Sequence, residues 1–170
     1  MSTETLEVAR PEFRTKTGIS AGDRKKVAEA LGIVLADTYM LFIKTQGVHW
    51  NVTGPAFMGV HKLTEEQYEN MYEAIDKLAE RIRALGHKAP ASYTKYGKLS
   101  SIRDTDQEQT VAQMLKMLID DHETAIANMR AAVEWCEAKN DYVTADMLTG
   151  RMSWHEEAVW MLKALSADGK

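Results

Sequence analysis

The chain is short of the residues that interrupt helices and of those that cross-link. Three prolines, Pro11, Pro55 and Pro90, are spread over 170 residues. Long segments are thus free to run as unbroken helices, because proline removes a backbone donor and clashes with the preceding turn. A single cysteine, Cys136, excludes an intramolecular disulfide framework and suits a reducing compartment. No apolar run approaches the ~20 residues that span a bilayer, and none follows the opening Met-Ser-Thr-Glu as a leader would. Strong basicity is missing too: 21 Lys and Arg face 25 Asp and Glu, for a net charge of −4. That balance argues against a globally basic nucleic-acid binder. The expectation is one all-α cytoplasmic domain, large enough to bury a core without staples.

What is present is helical periodicity. Residues 1–20 mix both charge signs without apolar spacing and read as a mobile N-terminal tail, with 167–170 as a C-terminal one. Between them, 21–166 read as a helical bundle. Ser20 with Asp23 is an N-cap pattern opening a first helix from about Ala21 to His49 or Trp50. Gly54-Pro55 breaks it, and a second helix runs from about Pro55 to Leu85, with Gly86 as its C-terminal stop. Residues 87–104 hold Pro90, Gly97 and several serines, with at most a short helix around Tyr93 to Ser101. Thr105 with Glu108 reads as a capping box opening a third long helix. Asn140-Asp141 closes that helix and opens a fourth, reaching about Ser166. Four helices with one long crossover between the second and third is the ferritin-like topology rather than a simple up-down bundle.

The second helix carries the chemistry. His61 and Glu65 lie one turn apart, as do Asp76 and Glu80, and an i,i+4 pair is how one helix face offers a metal two ligands. His61 and Asp76 are about 22 Å apart along the axis, so one ion cannot touch both pairs in a single chain. Both His61 with Glu80 and Glu65 with Asp76 are centred on the same point between Asn70 and Met71. Two copies packed antiparallel about a two-fold axis there would set His61 and Glu65 of one against Glu80 and Asp76 of the other, giving two identical shared sites. Two imidazoles and three carboxylates, counting His49, suit iron, and zinc and manganese accept such ligands also. Ferritin-like di-iron sites held within one subunit use Glu-x-x-His, and the chain contains none, which again points to an interface.

The run His49-Trp50-Asn51-Val52-Thr53-Gly54, followed by Phe57, His61, Glu65, Asp76 and Glu80, resembles the Dps family of mini-ferritins over about residues 20–165. The resemblance implies a dodecameric shell of two-fold dimers. Such a shell oxidises Fe(II), with hydrogen peroxide or oxygen, stores Fe(III) mineral, and protects DNA from oxidative damage. It implies His49, His61, Glu65, Asp76 and Glu80 as the ferroxidase ligands and leaves open which chain supplies His49. Trp50 would lie close to the centre and intercept stray oxidising equivalents, against a plain reading as an interface aromatic. Asp141 and Asp146 match positions of an acidic three-fold pore for iron entry, against a plain reading as helix-start acids. Glu65 stands where the family most often has Asp, and Gln46 where many members have a basic residue. The competing function is a DNA-compacting structural protein associated with the nucleoid. The charge-balanced tail and acidic balance weigh against that one, since phosphate binding needs Lys and Arg to displace counterions.

Two further histidines read as packing: His122 as a satisfied residue on an apolar stripe, and His155 beside Trp154 without a spaced partner.

Overall fold

A computed structural model describes residues 15–167. Five helices follow in order: α1 (Ala21–Asn51), α2 (Phe57–Ala84), α3 (Tyr93–Leu99), α4 (Val111–Ala138) and α5 (Tyr142–Ser166). No strand occurs among the described residues. Residues 1–14 of the expected N-terminal tail and 168–170 of the C-terminal one lie outside them.

Local chemistry sets the helix ends. The Ser20 hydroxyl accepts from the Asp23 amide at 3.1 Å and donates to its carboxylate at 2.7 Å. At the end of α2, Gly86 takes φ +93° and the His87 amide turns back to the Ile82 carbonyl at 3.2 Å. A side chain would be strained in that left-handed conformation. Asp141 caps α5, accepting from the Thr144 amide at 3.1 Å and its hydroxyl at 2.7 Å.

The capping box of α4 differs from the expected one. It is formed by Thr110 and Gln113, each side chain bonded to the other's backbone amide, and α4 begins at Val111 rather than near Thr105. Both segments carry the Thr-x-x-Glu/Gln pattern, but Asp106, Gln107, Glu108 and Gln109 offer nothing to bury. Val111, Leu115 and Leu118 do, and packing decides between two equivalent caps.

Helices α1 and α2 pack as one antiparallel pair and α4 and α5 as another. The crossover carries α3 along the bundle so that α2 and α4 run in the same direction. Asp37 of α1 anchors it: this fully buried carboxylate accepts from the Ser100 hydroxyl, the Ser101 amide and the Asn128 side chain at 2.7–2.8 Å. A buried charge is tolerated only when saturated in this way. Lys44 and Asp121 join α1 to α4.

The apolar core is in two parts. One gathers Leu31, Leu35, Leu78, Ile82, Met129 and Leu148, and the other Leu41, Val60, Met71, Leu115, Leu118 and Leu162. Between them lie His122 and His155, both fully buried. Cys136 is buried in the first part, where burial chiefly, and then the charge of Asp141, pushes its thiol up to about 11.

Candidate metal centre

The last turn of α1 and the first turns of α2 are joined by a short turn, so His49 and His61 meet face to face. Their rings stack with centroids 3.8 Å apart and planes 16° from parallel. The His49 Nδ1 lies 2.8 Å from the backbone carbonyl of His61, and the His61 Nδ1 lies 2.9 Å from that of His49. A carbonyl oxygen only accepts, so each Nδ1 carries the proton and each Nε2 presents a lone pair. This is the tautomer a metal-binding imidazole needs, held by a hydrogen bond from its other nitrogen.

Aromatic rings wedge the pair in place. Phe57 stacks on His61 at 4.8 Å, and Tyr68 meets His49 edge-on at 5.2 Å. Glu65, one turn beyond His61, is ion-paired to Lys62 at 2.7 Å. The Lys62 hydrogen bond and charge hold its carboxyl below the ordinary range, and the nearby His49 and His61 act in the same direction. Within the single chain His49 and His61 thus stack on each other, with Glu65 one turn further along α2. The roles of Lys62 and Tyr68 were not anticipated. For Lys62 the signal was its i,i+3 spacing from Glu65; for Tyr68 there was only its place on the helix face.

Asp76 and Glu80 lie on the same helix, exposed and several turns away. Among the described residues no three His, Cys, Asp or Glu side chains of one chain gather closely enough to hold an ion. His49, His61 and Glu65 form one part of the expected donor set, and Asp76 and Glu80 remain apart from it. Helices α1 and α2 also expose large apolar side chains: Trp50 is 67% exposed and Tyr72 69%, and Met58 is also open. Such a surface, flanking polar donors, suits a protein partner.

Asp141 is 1% exposed and paired with Arg81 at 2.7 Å, in addition to capping α5. Asp146, a turn later, is exposed. His155, read as packing, instead forms a hydrogen bond with His122 between their Nδ1 atoms at 2.8 Å. No helix of the described residues is long and apolar enough to cross a membrane.

Residues 28–170 match the family model of the ferritin-like domain. The chain is 34% identical to the DNA protection during starvation protein 2 of Bacillus anthracis, over 82% of this chain and 96% of that one. It is 38% identical to an uncharacterized low temperature-induced protein of Nostoc, over 89% of this chain and 86% of that one. Among solved structures, Dps from Thermosynechococcus elongatus superposes with a TM-score of 0.85 at 29% identity, covering 88% of this chain and 96% of that one. A Dps protein of Vibrio cholerae, described as a member of a broad superfamily of ferritin-like diiron-carboxylate proteins, superposes at 0.82 with 28% identity, covering 86% of this chain and 92% of that one.

Proposed function

The chain belongs to the Dps family of ferritin-like proteins, and from that premise we propose that it is a ferroxidase and iron-storage mini-ferritin whose metal centre is shared between two subunits. The observation that carries this reading is the His49–His61 pair. Its reciprocal hydrogen bonds leave two Nε2 lone pairs, with the Glu65 carboxylate one turn further along α2, and Asp76 and Glu80 are exposed, open to a two-fold copy that in this reading completes the set.

In this reading His49, His61 and Glu65 of one subunit and Asp76 and Glu80 of the other bind ferrous substrate. The carboxylates favour the higher charge of Fe(III), which assists oxidation. Two ferrous ions, one hydrogen peroxide and two waters give two ferric oxyhydroxide units and four protons, with peroxide taking both electrons. Oxygen would serve as the slower or faster alternative oxidant. The mineral is stored inside a hollow dodecamer of two-fold dimers, and removal of iron and peroxide protects DNA. Trp50, beside His49, is placed to intercept stray oxidising equivalents or to be covered by the partner. Since Asp141 is already committed to a cap and an ion pair, an acidic entry pore would rely on Asp146.

Mixing Fe(II) with peroxide anaerobically and following ferric absorbance tests this reading. A His61→Ala, Asp76→Ala double variant that oxidises iron as fast as the parent would sink it.

A further inference from the structure

A layer of polar side chains from three helices crosses the bundle between the two parts of its core, and its hydrogen bonds run in one direction. Arg151 of α5 donates from Nη1 to the Asn70 side-chain oxygen at 2.5 Å, and its Nη2 lies 3.2 Å from the His155 Nε2. Arginine has donors only, so the His155 Nε2 accepts and the ring's proton sits on Nδ1. That proton is donated across 2.8 Å to the His122 Nδ1, which places the His122 proton on Nε2. The His122 Nε2 is buried and has no hydrogen-bond partner among the described residues.

Two other groups in the layer are in the same position. The Arg151 Nε is buried without a partner, and so are both the nitrogen and the oxygen of the Gln67 side chain. Gln67 belongs to this level. As α2 descends from Arg81 to Asn70, its partners on α5 climb from Asp141 to Arg151 by a near-equal number of residues. One turn further, Gln67 lies level with Trp154 and His155.

The layer therefore holds surplus donors, with Gln67 supplying the one unused acceptor, and a fixed positive charge. No described carboxylate pairs with Arg151; besides Asn70 and His155 its guanidinium has the Trp154 ring, 4.3 Å away. Burial lowers its pKa to about 10. A second subunit cannot supply partners to Gln67 or His122, which are 1% exposed and not exposed at all within the single chain. A half-buried charge with no paired carboxylate among the described residues, beside buried donors without acceptors, is an arrangement native interiors avoid. A cavity of about 210 Å³ between α2 and α5, lined by Asn70, Glu73, Lys77 and Arg151 among others, opens on the Arg151 end of the layer.

We propose that this layer is a binding site for a small monovalent inorganic anion of halide size, held by Arg151 with Gln67 and the His155–His122 pair and entered between α2 and α5. The donor set fits an anion and disfavours a metal cation: accepting from Arg151 and donating to His122 occupies both nitrogens of His155. The site thus differs in place and in sign from the metal centre at the end of α1.

The test uses the purified, assembled protein and bromide as the probe. Crystals soaked in sodium bromide should show an anomalous peak inside each chain against Arg151. In solution, with gluconate as the bulky replacement at constant ionic strength, the unfolding midpoint should rise with bromide concentration, as linkage to the folded state requires. The rise should shrink to less than about half in Gln67→Leu and in Arg151→Met. Bromide confined to the surface with only water in the layer, or an equal rise in the parent and both variants, would overturn the proposal. If neither variant folds, the anomalous map alone decides.

Discussion

His49 and His61 each hand a ring proton to the other's backbone carbonyl, at 2.8 and 2.9 Å. The two imidazoles are thereby locked as mutual scaffolds: loss of either ring frees the other to turn, as well as removing one donor. His49→Ala and His61→Ala should each lower Fe(II) affinity by at least about tenfold, and the double variant should be little worse than either single one. Isothermal titration under anaerobic conditions measures this; additive losses would refute the coupling.

A centre shared between subunits, as proposed, fixes a stoichiometry. A His61→Ala chain and an Asp76→Ala chain should each be inactive alone. Co-assembled, a mixed dimer has one site with both lesions and one with neither. Activity should recover to about half the parental rate per mixed dimer. Recovery to zero would show that both pairs act on the same chain or that the partnership is wrong.

In the proposed centre Lys62 would compete with the metal for Glu65, since the carboxylate answers the ammonium at 2.7 Å. Lys62→Ala should tighten metal binding by a few-fold at most, as expected for an exposed pair, and the gain should fade in high salt. A loss of affinity on that substitution would mean that Lys62 positions Glu65 rather than competing for it.

Asp141 joins three helix-level functions: it caps α5, bonds Thr144, and neutralises Arg81. Its replacement by Ala should cost roughly 3 kcal/mol, because a cap is lost and a partly buried guanidinium is stranded. Asp141→Asn should cost less, since the amide oxygen still caps. Denaturant midpoints settle the order.

These predictions separate what was legible in the sequence from what was not. The four long helices, the short helix in the crossover and the caps at Ser20 and Asp141 follow from local spacing and local hydrogen bonds, which a sequence displays directly. The start of α4 was missed because Thr105 and Thr110 offer the same capping chemistry, and only burial chose between them. The polar layer was missed for a related reason. Asn70, His122, Arg151 and His155 come from three helices, and nothing in the spacing of His122 or His155 reports that they meet. Asp37 is similar, its partners Ser100, Ser101 and Asn128 arriving from the crossover and α4.

That same layer sets a pH dependence. Burial is the chief cause that holds His122 down to about 3 and His155 well below the ordinary imidazole range. In the unfolded chain both rings take up protons as pH falls through about 6.5, whereas in the folded chain they do not. Their contribution is therefore complete above about pH 6.5 and is lost on acidification, at up to about 1.4 kcal/mol per ring and pH unit. Unfolding of the metal-free protein at a series of pH values should show the loss, and a His122→Leu, His155→Leu variant should flatten it. An unchanged slope in that variant would assign the acid sensitivity elsewhere.

The sole thiol lies in the core with its pKa pushed up to about 11, so at neutral pH it carries its proton and stays out of reach of oxidants. Peroxide attacks the thiolate. Under the proposed peroxide-linked turnover the protein would have nothing in its sulfhydryl inventory to regenerate: no disulfide to reshuffle, no sulfenic acid to reduce, and no dependence on a cellular thiol reductant for its upkeep.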